Sequence, residues 1–273
     1  MQSGGYAATA PGKVVLGGEY AVLHGAPAIA ASVNRRARVS AERIGGACNE
    51  LTMPGFIDGT WRFIGKADGA PDWLDSPPEP GAFSLFERVL QAVGGMADRG
   101  IRLTLDTRAF VDDVSGCKFG LGSSAALSVA LAALLTRQHG PELLPAALAA
   151  HTAFQGGEGS GVDIACAIHG GVIGYSRDPA AVEMLSWPEG LHVSLLWSGA
   201  PAGTTAKIQQ LKAGLRDPAR LASLRSLCAE ASALLVCWRQ NNVTELLAQF
   251  EVYARALHDF DRDQSLGIFS AGH

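Results

Sequence analysis

Lys118-Phe119-Gly120-Leu121-Gly122-Ser123-Ser124-Ala125-Ala126 is the stretch on which the reading of this chain turns. It stands just before the clearest helix in the sequence. In that helix Leu127, Leu131, Leu134 and Leu135 share one face, and Gly140-Pro141 lies beyond its end. A helix N-terminus presents N–H groups without intrahelical acceptors and the positive end of aligned peptide dipoles, so it suits phosphate. Glycines let the backbone approach an anion with no Cβ in the way. Of the two serines, one can cap and the other is free to touch phosphate or magnesium, while Ala125 and Ala126 keep the first turn slim. No G-x-x-x-x-G-K-[ST] loop is present. The G-x-G-x-x-A match would suit a dinucleotide-binding oxidoreductase only if a buried strand preceded it, and Asp112-Asp113-Val114-Ser115-Gly116-Cys117-Lys118 is no such strand. Taken alone, the loop is equally well read as a structural cap.

Working outward, Tyr6 to Ala10 and Val14 to Leu16 predict strand, as does Ala28 to Val39, with glycine and proline turns between. Residues 45–82 are rich in Gly, Pro and Asp and predict long loops with a strand or two near Trp61-Arg62-Phe63-Ile64. Leu85, Phe86, Val89, Leu90 and Val93 predict a helix over Phe83 to Gly94, and Ile101 to Leu105 alternates as a half-buried strand does. A helix is expected from about Glu142 to Phe154. A glycine-rich loop, Gly156 to Gly161, opens another short one. Val193 to Trp197 reads as a strand and Thr204 to Ala213 as a helix with a threonine cap and Gly214 as its stop. Two longer helices follow, Pro218 to Arg239 and Val243 to His258. The stripe Leu221, Leu224, Leu227, Ala231, Leu234 and Trp238 marks helix packing.

The 273 residues are 48% hydrophobic and 18% charged, enough apolar material for a buried core. A net charge of -4 argues against nucleic acid as the main partner, although one cationic cleft for a small anion is compatible with it. The longest apolar run, Ala125 to Leu135, is too short to span a bilayer and belongs to an amphipathic pattern, and Met1 to Tyr6 lacks the marks of a signal peptide. Cys48, Cys117, Cys166, Cys228 and Cys237 are odd in number and form no C-x-x-C pair, which predicts reduced, mostly buried thiols in a cytoplasmic protein.

Three separated segments, in order, carry a family resemblance. Ala10-Pro11-Gly12-Lys13-Val14-Val15-Leu16-Gly17-Gly18-Glu19-Tyr20-Ala21-Val22-Leu23 resembles the first motif of the GHMP kinases, and Lys118 to Ala126 resembles the second. Gly159-Ser160-Gly161-Val162-Asp163-Ile164-Ala165 resembles the segment bearing the family's acid. The resemblance covers roughly the first 200 residues. It implies a mixed α/β (α+β) fold with an N-terminal ATP-binding domain over residues 1–185 and a smaller, ferredoxin-like C-terminal domain over 186–273. It also implies transfer of the ATP γ-phosphate to a hydroxyl or phosphate, with Mg2+. Asp163 is then the base and Lys13 its neighbour beside the transferred group. Lys118, Gly120, Leu121, Gly122, Ser123, Ser124 and Ala125 bind ATP, and Ser124 lies at the metal. Glu19, Tyr20, Ser160, Gly161, Ala202 and Thr204 fall on the substrate side. Glu19 is equally readable as a structural ion-pair partner. The expected partners are ATP and a small-molecule substrate, without nucleic acid or membrane, and with a homodimer left open.

Within the family, Trp197-Ser198-Gly199-Ala200-Pro201-Ala202-Gly203-Thr204-Thr205 looks like a phosphomevalonate kinase signature, and the short Gln155 to Gly161 connection and Lys118 look that way too. Lys118, Lys207 and Arg177 are candidate partners of an acidic substrate. Val22 to Ala30 resembles mevalonate kinase equally well. The magnesium-binding acid of mevalonate kinase has no secure match, and Glu158 stays unassigned. The family's third glycine-rich motif is missing before His273, so the second domain is expected to be incomplete. That gap also motivates a non-catalytic, nucleotide-binding alternative.

Overall fold

The computed structural model describes residues 5–67, 69–157, 159–199, 204–214 and 217–269. The chain forms two compact units, Met1–Lys13 with Ser32–Gly170, and Val14–Ala31 with Gly171–His273. The division follows no single cut. It falls inside the strands β1 (Tyr6–Gly17) and β2 (Ala28–Arg43).

In the first unit, β3 (Asn49–Met53), β4 (Ile57–Ile64), β5 (Asp72–Trp73) and β6 (Ile101–Asp106) lie in the order β5-β4-β3-β6-β2. β6 runs parallel to β3, with Leu103 opposite Leu51, and antiparallel to β2, with Leu105 opposite Val39. The predicted alternation in β6 holds: Ile101, Leu103 and Leu105 are buried and the residues between them half-buried. The loop-rich reading of residues 45–82 missed β3. Its five residues carry only Leu51 and Met53 as an apolar signal, and its third buried side chain is a polar one, Asn49. Asn49 meets its needs internally: its Nδ2 donates to the Asp98 carbonyl at 2.8 Å and its Oδ1 accepts from Ile101 N–H at 3.1 Å.

Among the described residues four α-helices complete this unit: α1 (Ser84–Ala92), α2 (Ser123–Thr136), α3 (Leu144–Phe154) and α4 (Val162–His169). Helix α2 departs from the expected amphipathic pattern. Ala125 to Ala132 are all buried, as is Leu134, because alanines and Ser128 let neighbours close on every side. Val89 and Leu90 of α1, Leu131 of α2, Ala147 of α3 and Ile164 of α4 share one core with the inner face of the sheet.

In the second unit, β7 (Val172–Arg177) and β8 (Ala180–Leu185) form an antiparallel pair, and β7 also pairs with Ala28–Ala31 of β2. The helices are α5 (Thr204–Gly214), α6 (Pro218–Gln240) and α7 (Val243–Gln264). The predicted α6 stripe is buried at Leu224, Leu227, Ala231, Leu234 and Trp238, packed with Leu246, Tyr253, Leu257 and Phe260 of α7. By length and composition α6 would also suffice to cross a membrane, and 39% of its most apolar window is buried inside the protein. Asp217 caps α6 by accepting from Ala219 N–H, and Asn242 caps α7 by accepting from Glu245 N–H. The strand expected over Val193 to Trp197 does not form: these residues have no regular structure, and Leu195 and Leu196 are exposed. A strand needs a neighbour for its backbone groups, and these residues pair with no strand among the described residues.

Candidate active site

Three backbone devices in the first unit set up the candidate site. Strand β1 reaches the glycine loop through Lys13 N–H, which donates to the Leu121 carbonyl at 2.9 Å. Gly12 is needed for that approach, since a Cβ there would sit 2.5 Å from the Leu121 oxygen and 2.5 Å from the Phe110 ring. The loop itself turns through left-handed conformations at Gly120 (φ 77°) and Gly122 (φ 75°), where an L-residue is strained. Gly122 is the N-cap of α2, and its carbonyl accepts from Ala126 N–H at 3.1 Å. The N–H groups of Ser123, Ser124 and Ala125 therefore precede the first intrahelical bond, and no acidic side chain stands in the first turn.

Gly161 (φ 85°) does the same for α4 and places Asp163 in its first turn. The Ser160 hydroxyl accepts from Val162 N–H at 3.4 Å, so Ser160 holds the turn that aims Asp163. Lys13 Nζ meets Asp163 Oδ1 at 3.3 Å, with the two side chains 17% and 26% exposed. The Lys13 stem passes over Gly122, where an added Cβ would lie 3.3 Å from Cγ. Lys13, Asp163 and the glycine loop, expected together from three distant segments, thus meet.

A further residue joins them. Ser124 Oγ lies 3.1 Å from Nε2 of His151, an α3 side chain only 3% exposed. Burial pushes the imidazole below its usual pKa; Asp163 acts in the opposite sense and Lys13 adds to the lowering. Both charged groups are therefore within electrostatic reach of the ring. Burial likewise pushes the neighbouring Cys166 thiol up to about 12, so it is an inert core group. The sequence reading passed over His151. Its signal is one titratable side chain in the alanine-rich run Ala146 to Ala153, which by pattern alone reads as core.

The other expected residues have the following surroundings. The Lys118 ammonium sits over the Phe56 ring, 4.7 Å from the centroid, and burial lowers its pKa. Glu19 and Tyr20 belong to the second unit. There Glu19 Oε2 accepts from the Tyr253 hydroxyl at 2.7 Å, and Tyr20 adopts a left-handed φ of 61° with its ring tilted against Phe260. Burial, then Glu19 and Asp261, push the Tyr20 phenol up to about 12. Thr204 is the first residue of α5, and Ala202, like Glu158, lies outside the described residues. Lys207 Nζ donates to the Gly267 carbonyl at 2.7 Å, and Arg177 lies 3.5 Å from Asp178.

Residues 83–171 match the family described as GHMP kinases N terminal domain. Over these residues the chain is similar to the GHMP kinases. The matched segment runs from α1 through α4 and contains Ser124, His151 and Asp163, while Lys13 reaches them from β1. The phosphomevalonate kinase of Streptomyces sp. strain CL190 is 28% identical, over 96% of this chain and 80% of that protein. The mevalonate kinase of Aeropyrum pernix is 32% identical, over 65% of this chain and 52% of that protein. The chain thus spans about half the length of that mevalonate kinase. Among solved structures, a Lin0012 protein from Listeria innocua superposes with a TM-score of 0.82 at 22% identity, covering 98% of this chain and 82% of that one. The Streptococcus pneumoniae phosphomevalonate kinase in complex with phosphomevalonate and AMPPNP gives 0.66 at 18% identity, covering 93% and 80%. The fold is the mixed α/β fold of GHMP kinases.

Proposed function

We propose that this chain is an ATP-dependent kinase whose acceptor is phosphomevalonate, with mevalonate as the second reading. The observation that carries it is the Lys13–Asp163 pair at 3.3 Å, held beside the glycine-rich N-terminus of α2. Phosphoryl transfer needs positioning and charge neutralisation more than covalent chemistry. The residues suit an anionic polyphosphate: two left-handed glycines, a helix start free of acidic side chains, and the Lys13 ammonium. ATP supplies the γ-phosphoryl group. Among the described residues no cluster of three His, Cys, Asp or Glu forms a ready-made metal cage. Magnesium would then arrive with the nucleotide, held by phosphates, water and the Ser124 hydroxyl.

In this reading Lys13 offsets charge on the phosphoryl oxygens. Asp163 accepts a proton from an acceptor hydroxyl. Phosphomevalonate and mevalonate place different demands on it. A hydroxyl must lose its proton, whereas a phosphate monoester with a second pKa near 6 is already ionised at neutral pH. The Streptomyces relative, aligned over 96% of this chain, favours phosphomevalonate; the Aeropyrum relative, at 32% identity, supports the second reading.

The test is magnesium-dependent ADP release with phosphomevalonate, mevalonate, homoserine and sugars, run for the unaltered chain and for Asp163→Asn. Stimulation by phosphomevalonate alone supports the first reading. With a hydroxyl acceptor, Asp163→Asn is expected to lower the rate about 10²- to 10⁴-fold, the usual range for a lost general base. With phosphomevalonate the loss is expected to be smaller. A folded chain that none of the acceptors stimulates would sink the kinase reading, and a rate indifferent to Asp163→Asn with every acceptor would remove Asp163 from the mechanism.

A further inference from the structure

His151 is an expensive residue to place where it stands. Its ring is 3% exposed, on a helix that otherwise presents Ala147 and Ala150 to the same core. A buried polar group costs stability unless it is hydrogen-bonded. Its Nε2 is 3.1 Å from Ser124 Oγ, and Ser124 is the second residue of α2. A serine hydroxyl is a free rotor, able to point at solvent, at its own helix or at a ligand. Ser124 has its carbonyl engaged from within the helix, by the Ser128 hydroxyl at 2.9 Å, so backbone and side chain are both tied.

We propose that His151 is a positioning residue that locks the Ser124 hydroxyl at the mouth of α2, orienting it toward the phosphate end of the nucleotide. The inference rests on the kinase reading above. A neutral imidazole carries one N–H and one bare nitrogen. With the proton on Nε2, the ring donates to Ser124 Oγ, and the serine hydrogen is left to donate to a phosphate oxygen. With the proton on Nδ1, Nε2 accepts from the serine, whose lone pairs then face outward to a cation. In either tautomer one rotor state is selected before the nucleotide arrives, so less freedom is lost on binding. His151 does not touch the reacting atoms in this scheme; it acts through Ser124.

The test uses the full chain and four variants: His151→Leu, His151→Gln, Ser124→Ala, and Ser124→Ala with His151→Leu. Magnesium-ATP affinity is read by calorimetry, kcat and KM by ADP release, and folding by urea denaturation. His151→Leu is expected to weaken ATP binding about tenfold, the loss of one oriented hydrogen bond. The amide of His151→Gln can occupy the Nε2 position and is expected to recover most of that loss. In the Ser124→Ala background, His151→Leu is expected to add less than about a twofold change, because residues acting as a unit are not additive. The inference is overturned if His151→Leu, still folded, binds ATP as the unaltered chain does, or if its loss multiplies in full with that of Ser124→Ala. If the unaltered chain itself binds no magnesium-ATP, the kinase reading fails instead, and the two failures are told apart.

Discussion

The Tyr253 hydroxyl donates a 2.7 Å hydrogen bond to Glu19 Oε2, joining a helix and a turn that lie 234 positions apart in the chain. The Tyr253 phenol oxygen in turn accepts from Gly18 N–H at 2.7 Å. Gly18 has φ 92°, and a Cβ there would lie 2.3 Å from the Pro27 carbonyl oxygen, so the Gly-Glu-Tyr turn is held by shape and by the phenol together. Burial, then Glu19, drive the Tyr253 pKa far up, so the phenol stays protonated and donating. Tyr253→Phe removes this partner from both groups. We expect a loss of about 1–3 kcal/mol, the cost of stripping a buried hydrogen-bond partner. The check is a lowered urea midpoint with an unchanged m-value; an unchanged midpoint would show that the turn holds itself.

Gly120 and Gly122 offer a controlled pair. Both are left-handed, at φ 77° and 75°, but a Cβ at Gly120 meets open space while one at Gly122 meets the Lys13 stem at 3.3 Å. Gly120→Ala and Gly122→Ala should therefore share a backbone cost of about 1–2 kcal/mol in stability. Only Gly122→Ala should displace Lys13. We expect it to lower kcat more than Gly120→Ala does when both are assayed well below their melting temperatures. Equal kcat values would mean that the Lys13 stem yields freely.

Lys13 itself is expected to be required for turnover rather than for folding. Its ammonium is 3.3 Å from Asp163 and partly exposed, and a pair of that kind contributes little to stability. Its charge near a transferring phosphoryl group is another matter, for which loss of a preorganised group costs about 10²- to 10³-fold in kcat. Lys13→Met should show that drop in ADP release with a melting temperature within a few degrees of the unaltered chain. A large fall in melting temperature with rate retained would reverse the assignment.

Two histidines make stability depend on pH. Burial lowers the pKa of His151 and of His24, the latter aided by Arg177 and Lys212, from the ordinary 6.5. Below 6.5 the unfolded chain binds protons that the folded chain refuses, so stability falls as pH drops from about 6.5 toward the folded values. The urea midpoint is expected to be lower at pH 5.5 than at pH 7.5, and the slope to flatten in His151→Gln. An identical slope in that variant would show that His151 titrates normally in the folded protein.

By sequence alone, much of this protein was legible. Period-2 burial in Ile101–Asp106, the buried stripe of Pro218–Gln240 and the glycine-serine start of Ser123–Thr136 all follow from local spacing, since a chain shows its own periodicity. The motif residues Lys13, Gly122, Ser124 and Asp163 could be named because the segments that carry them resemble those of a known family. The tertiary structure alone decided what lay between distant positions. It seated a 3%-exposed His151 against Ser124, tied Glu19 to Tyr253, and gave Val193 to Trp197 no strand conformation. Hydrogen bonds and strand ladders are properties of pairs, and nothing in either member's local pattern states which partner the fold will bring.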